Sequence, residues 1–410
     1  VTSDNVVVIA GTGQGGLQVA ASLRQDGFEG RIVMVGEEPG LPYQRPPLSK
    51  TYLKEGDASR LLLRAPDFFE TQSIELIEET RITSIDRKAK TVALSNGDTL
   101  GYDYLVLAVG TRNRKLPLEG AGLENVVEMR TLAHANDIRE RIGGCRHVIV
   151  IGGGFIGLEF AAVARALGLE VTVLEAMPRL MGRVVSPAVS EFFLKAHREN
   201  GVEVKQGAMA ARILDDGTGK VAGVELKDGR TIDGDMVLVA AGVVPNVEIA
   251  AEAGLEIDNG VVVDAIMLTS DPAISAIGDC ASFIHARSGR RVRLESVQNA
   301  VDQAKCVAAH IVGRPAPYDV VPWFWSDQGP LKLQIAGLTD DADDVVVREP
   351  GPGRLSAYCF RKGELIGVET VNVPADHMMA RRLLASGTPV TRAALEAVDF
   401  NLKAAAQPAA

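Results

Sequence analysis

Two short glycine-rich runs carry the first chemistry legible in this chain. They are GTGQGG, with Gly11, Gly13, Gly15 and Gly16, and GGGFIG, with Gly152, Gly154 and Gly157. Each follows an apolar, β-branched run and precedes a stretch of helix formers. In such a unit the first glycine makes a tight turn and the second lets the backbone approach a pyrophosphate. The third lets the helix pack on the strand. The phosphates then meet the unpaired N–H groups and the positive end of the helix. An acid completes each unit. Glu37 and Glu175 follow the last glycines by about twenty residues, where a carboxylate accepts from a ribose hydroxyl. One such run is weak evidence. Two of them, each with its acid, point to two dinucleotides and to redox transfer between them.

These runs need strands and helices to position them, and the landmarks repeat. Val6–Glu37 and His147–Glu175 both read strand, glycine turn, helix, strand, acid. Each copy later reaches an apolar strand ending small-x-Gly, YLVLAVG at 104–110 and MVLVAAG at 236–242. The shared order makes a duplicated unit. Beyond Trp325 the pattern changes to shorter runs, KLQIAGL, DVVVRE, LSAYCF and ELIGVETV. They predict an antiparallel sheet, followed by a helix around Ala375–Ala385. DDADD at 340–344 reads as a solvated turn and the tail AAAQPAA as frayed.

Composition narrows the class. The chain has 410 residues, 46% hydrophobic and 23% charged, which is ordinary globular material for two to three domains. A net charge of −10 argues against nucleic acid as the main partner. Four scattered cysteines exclude a disulfide scaffold. The opening VTSDNVVVIAG has no basic n-region, and the longest apolar stretch, Met236–Pro245, is too short to span a bilayer. We therefore expect a cytoplasmic protein with no membrane association. The six histidines (134, 147, 197, 285, 310 and 377) form no HxxH or HxxxH pair, so we expect no metal site. No iron–sulfur cysteine run is present either, so a one-electron carrier has to be another protein.

With LPYQRPPLSK at 41–50, GGGFIGLE at 152–159, ISAIGDCA at 275–282, ESVQNAVDQA at 295–304 and PWFWSDQ at 322–328, the chain resembles the FAD-containing, NADH-dependent ferredoxin reductases of bacterial oxygenase systems. The likeness runs over essentially the whole length. It implies an α/β fold of two Rossmann-like dinucleotide-binding domains, of the glutathione-reductase-like flavoprotein type, with an α+β C-terminal domain. The expected boundaries are 1–114 with 243–325 for FAD, 115–242 for NAD, and 326–410 for the C-terminal domain. The implied activity is hydride transfer from NADH to FAD, then single electrons to a small 2Fe-2S ferredoxin serving a monooxygenase or dioxygenase. Rubredoxin- or nitrite-reductase-linked reductases are an alternative within the superfamily. An apoptosis-inducing-factor-like, redox-governed binding protein is an alternative of another class.

The same likeness assigns residues. Gly13, Gly15 and Glu37 would touch the FAD diphosphate and adenosine ribose, and Arg45 and Lys50 would lie along the flavin. Ile82 would meet adenine through its backbone, and Arg130 would reach the cofactor. Asp279, after Gly278, would bind the ribityl chain, and Val297 would sit at the ring. Glu175 would take the NADH ribose and favour NADH over NADPH, with Arg179 and Arg183 nearby in sequence and Arg183 placed among the dinucleotide-binding residues.

Glu159 falls in the first turn of a helix, where the dipole alone would stabilise a carboxylate by a few tenths of a kcal/mol. By the likeness it accepts from the nicotinamide carboxamide, with Lys50 as its ion partner. Trp325 would couple flavin to ferredoxin. The segment after Glu37 has no sulfur and no CxxC occurs, so electrons leave the flavin without a disulfide relay. Cys280 reads as packing. An acidic ferredoxin needs a local basic patch, and the densest candidates are Arg287, Arg290, Arg291 and Arg293, with Arg361, Lys362, Arg381 and Arg382. The oligomeric state stays open.

Overall fold

In the computed structural model, residues 4–397 and Leu402 are described, so the AAAQPAA tail lies outside them. The chain packs as two compact units. The first takes the chain up to Gln44, Ala58–Arg112 and Val243–Val320, and the second takes Arg45–Asp57, Asn113–Gly242 and the chain from Val321.

The first unit is built on a five-stranded parallel sheet in the order Ile274–Ala276, Tyr104–Leu107, Val6–Ala10, Arg31–Val35, Ile74–Ile77. Val8 stands opposite Val33 on one side and Leu105 on the other. Val7, Val8 and Ile9 have no exposure, as expected of a parallel strand covered on both faces. The Gln14–Gln25 helix packs against the Val297–Ile311 helix. The latter buries Ala300, Ala304, Val307, Ala308 and Ile311, a single apolar stripe at helical spacing. A three-stranded antiparallel sheet, Ile82–Asp86, Thr91–Leu94 and Thr99–Gly101, belongs to the same unit.

The second unit repeats the plan. Its parallel sheet runs Val202–Gln206, Glu170–Glu175, His147–Ile151, Met236–Val239, Val126–Val127. The two small-x-Gly strands lie in equivalent places, each beside the strand that enters a glycine turn. The duplication predicted from the repeated landmarks is thus present in the strand order.

The five C-terminal strands form an antiparallel sheet, ordered Trp323–Gln328, Leu331–Gly337, Glu364–Val371, Arg354–Arg361, Asp344–Gly351. The Pro374–Ser386 helix lies over the Leu331–Gly337 and Glu364–Val371 strands. In the Phe155–Ala166 helix every residue from Gly157 to Ala164 is buried. Apart from Glu159 this run is apolar, so it must be covered on more than one face. The parallel sheet takes one face and the Trp323–Gln328 strand another.

Candidate active site

Gly11 and Gly152 open the two turns with φ of +112° and +116°, a backbone that L side chains rarely adopt. Gly16 and Gly157 are held by space. A Cβ on either would sit 2.0 or 2.1 Å from the carbonyl oxygen of Gly11 or Gly152. Gly13 and Gly154 differ from both pairs. Each is the N-cap of its helix in extended backbone, and a Cβ there would meet no protein atom within 4 Å. No side chain caps either helix. Three other long helices begin with a hydroxyl that accepts a backbone N–H, from Thr131, Ser186 and Ser296. The two glycine-led helices therefore present open backbone donors, positive dipole ends and room in front of them, which fits a pyrophosphate at each.

The ribose acids are held differently. Glu175 Oε2 accepts from Gly153 N–H at 2.8 Å and Oε1 from Met177 N–H at 2.7 Å, so its carboxylate is fixed beside the second turn. Glu37 is exposed and pairs with Arg81 at 3.3 Å. Arg179 donates to the carbonyls of Val185 and Gly182, at 2.5 and 2.6 Å. Arg183 is exposed, with its guanidinium near Gly242.

Elsewhere in the first unit, strand Ile274–Ala276 leads into the Gly278–Cys280 turn. Gly278 N–H donates to Gln303 Oε1 at 2.7 Å, which leaves the fully buried Gln303 Nε2 without a partner. Asp279 Oδ2 accepts from the Thr111 hydroxyl at 3.3 Å, and its carbonyl accepts from Arg293 at 3.0 Å. Ile277 Cδ1 would lie 3.2 Å from a Cβ on Gly15, so the GDC turn stands beside the first glycine turn. Val297 is half-buried at the start of its helix, and Ile82 is buried at the start of its strand. Cys280 is fully buried and its thiol is pushed up to about 11 by desolvation, a packing group as expected. All four cysteines are free.

In the second unit the residues singled out from sequence converge. Lys50 Nζ donates to Glu159 Oε2 at 2.8 Å and to Pro46 O at 2.9 Å. The Glu159 side chain is 3% exposed. Ser49 donates to the same Oε2 at 2.5 Å, and Ser326 to Oε1 at 2.7 Å. Arg45 donates to the carbonyl of Arg130 at 2.9 Å. Sequence reasoning did not assign Ser49, Ser326 or, beyond it, Gln328 and His197. The only trace is period two along WFWSDQ, which puts Ser326 and Gln328 on one face of the strand and Trp325 on the other. Phe324, on the Ser326 face, stacks on Phe155 with centroids 4.6 Å apart. Trp325 packs on Trp323 at 5.5 Å, and Arg381 lies over Trp323 at 4.6 Å.

The arginine-rich segment of the first unit is largely spoken for. Arg287 pairs with Asp319 at 3.3 Å, Arg291 with Asp258 at 3.2 Å and Arg293 with Glu295 at 2.7 Å. In the second unit Arg361 pairs with Asp341 at 2.6 Å. Among the described residues no cluster of three acidic, histidine or cysteine side chains could hold a metal, and no helix is long and apolar enough to cross a membrane.

A duplicated Rossmann-like unit with two glycine cradles, each with its acid, defines a nucleotide-dependent oxidoreductase. The chain belongs to the pyridine nucleotide-disulphide oxidoreductase family, whose pattern matches residues 5–304, and residues 323–406 match the reductase C-terminal family. It is 48% identical over 401 residues to rhodocoxin reductase of Rhodococcus erythropolis, covering 97% of this chain and 94% of that one. Identity to putidaredoxin reductase of Pseudomonas putida is 39%, covering 95% and 93%. Among solved structures, a ferredoxin reductase from Rhodopseudomonas palustris superposes with a TM-score of 0.96 at 50% identity, covering 98% of this chain and all of that one. The covalent putidaredoxin reductase–putidaredoxin complex gives 0.95 at 38% identity, covering 98% of each.

Proposed function

We propose that this chain is an FAD-dependent NADH:ferredoxin oxidoreductase that feeds single electrons to a small 2Fe-2S ferredoxin of an oxygenase system. The observation that carries the reading is the pair of helices led by Gly13 and Gly154, each with open backbone donors and empty space in front of its glycine N-cap. The relatives' names supply the electron acceptor.

FAD, when bound, supplies the chemistry that accepts two electrons together and releases them singly. The protein's part is binding, orientation and exclusion of competing routes. Gly11, Gly13, Gly15, Gly16, Glu37, the Ile82 backbone, Gly278, Asp279 and Val297 would hold FAD. Gly152, Gly154, Gly157 and Glu175 would hold NADH. Glu159, held by Lys50, would accept from the nicotinamide carboxamide. The segment after Glu37 carries no cysteine and the sequence has no CxxC pair, so the acceptor would take its electrons from the flavin itself. We place the protein in the cytoplasm, the compartment that suits a chain with few, scattered cysteines.

NADH-driven cytochrome c reduction, measured with and without an added 2Fe-2S ferredoxin, tests the reading. Ferredoxin should accelerate it many-fold. A rate indifferent to every ferredoxin tried would overturn the proposal in favour of a binding flavoprotein.

A further inference from the structure

Four polar side chains form an unbroken hydrogen-bonded line through the interior of the second unit, and the roles assigned above use only the first. Ser326 Oγ donates to Glu159 Oε1 at 2.7 Å. Gln328 Nε2 lies 3.3 Å from Ser326 Oγ, and Gln328 Oε1 lies 2.8 Å from His197 Nε2. None of the four residues is more than 4% exposed. The line joins the Phe155–Ala166 helix, the Trp323–Gln328 strand and the Pro187–Glu199 helix. Apolar side chains of the same shape would hold these elements together at least as well. The line is a poor device for stability and a good one for direction.

Its direction follows from its end. An ionised carboxylate only accepts, so Ser326 must donate to Glu159. The serine oxygen is then left as an acceptor, which takes an N–H of Gln328. That turn of the amide presents Oε1 to His197, so the imidazole must carry its proton on Nε2. Gln328 Nε2 also lies 3.6 Å from Met181 Sδ, a weak acceptor that suits the same turn. Ser49 and Lys50 hold the other carboxylate oxygen.

We propose that Ser326, Gln328 and His197 are positioning residues for the reaction of NADH, holding the Glu159 carboxylate in one orientation and leaving its remaining acceptor capacity for the nicotinamide carboxamide. The proposal rests on the reading of Glu159 as that acceptor. Burial holds His197 below the usual imidazole range, against the pull of Gln328, which suits a neutral ring.

Nitrogen-15 NMR of the histidine-labelled, FAD-loaded protein, paired with NADH kinetics, tests it. His197 should be neutral and protonated on Nε2 at pH 7.5. Ser326→Ala should release the Gln328 amide, mix the His197 tautomers and raise KM for NADH about tenfold, as for one lost hydrogen bond, with kcat little changed. Gln328→Leu should raise KM similarly, and Ser326→Thr should restore both readouts. A wild-type His197 protonated on Nδ1 overturns the line's direction. Normal KM in Ser326→Ala and Gln328→Leu, with a raised KM in Glu159→Ala, overturns the positioning role alone. A normal KM in Glu159→Ala removes the nicotinamide reading and the proposal with it, whatever the tautomer.

Discussion

Glu369, on the Glu364–Val371 strand, accepts the backbone N–H of Ser186 at 3.0 Å and the Ser186 hydroxyl at 2.6 Å, and its side chain has no exposure. Ser186 is the N-cap of the Pro187–Glu199 helix, so a carboxylate from the antiparallel sheet caps the helix that carries His197. Burial pushes the Glu369 carboxyl above its ordinary range, although the Ser186 and Thr339 hydroxyls pull it down.

A pH dependence follows from that shift. The folded state holds the Glu369 proton more tightly than the unfolded chain does. The group's contribution to stability is therefore full below the ordinary carboxyl pKa of about 4.3 and is lost as pH rises through the raised value. Glu369→Gln mimics the protonated form at every pH. Its melting temperature should match the wild type near pH 4 and exceed it near pH 8. A difference that does not change with pH removes this account.

The glycines separate ligand binding from folding. Gly13→Ala puts a methyl group into open space at an ordinary backbone conformation, so the apoprotein's stability should stay within about 0.5 kcal/mol of wild type. FAD retention should fall if the open space in front of that cap takes the diphosphate, as proposed. Gly16→Ala, 2.0 Å from the Gly11 carbonyl, should destabilise apo and holo forms alike. Calorimetry of both forms, with flavin quantified after acid precipitation, distinguishes the two. Released flavin should all appear in the supernatant, since no covalent link is expected.

Lys50 and Glu159 form a pair with side chains 16% and 3% exposed. Removing one partner from a buried pair costs about 3–5 kcal/mol. Ser49 and Ser326 still donate to the carboxylate in Lys50→Met, which places that variant near the lower end, at about 3 kcal/mol. The Lys50→Met/Glu159→Gln double variant should recover most of the loss in chemical denaturation. Additive losses would mean that the pair is not coupled.

Glu175 makes coenzyme choice measurable. Its carboxylate, fixed by the Gly153 and Met177 N–H groups, would bind the 2′-hydroxyl of NADH and repel a 2′-phosphate. Arg179 is bound to two carbonyls of its own loop and offers little compensation. Losing one bond and adding a like charge amounts to about 2–4 kcal/mol, or roughly 30- to 1,000-fold in kcat/KM in favour of NADH. Glu175→Ala should narrow the gap, and equal wild-type values for both coenzymes would refute the assignment.

What the sequence made legible was local. A strand, a glycine turn and an acid about twenty residues on are read within one window, and the strand order repeats what the landmarks predicted. The family likeness supplied Lys50 as a partner of Glu159, but Ser326 and the residues beyond it were out of reach, because hydrogen bonds across 167 and 131 residues tie Ser326 to Glu159 and Gln328 to His197. No periodicity encodes such pairings. The arginine cluster shows the converse limit. Its density is plain in ARSGRRVRL, but Asp258 and Asp319, which pair with Arg291 and Arg287, lie in other segments.

That pairing moves the expected ferredoxin contact. A guanidinium already matched by a carboxylate adds little net field, so Arg287, Arg291 and Arg293 are weak candidates for steering an acidic partner. In the second unit, Arg381 lies over Trp323, which in turn packs on Trp325, and Arg382 beside it in sequence is exposed. A cation on a half-buried aromatic pair offers both a charge and an apolar contact. Ferredoxin-dependent turnover should therefore fall steeply as salt rises to about 0.5 M, where the screening length is a few ångström. Reduction of a neutral small acceptor by NADH should change much less. Arg381→Glu should raise KM for ferredoxin about tenfold while NADH-driven flavin reduction stays normal, whereas Arg291→Glu should move it about twofold at most. If Arg291→Glu proves the stronger of the two, the paired segment is the docking surface after all, and the tryptophan pair is only packing.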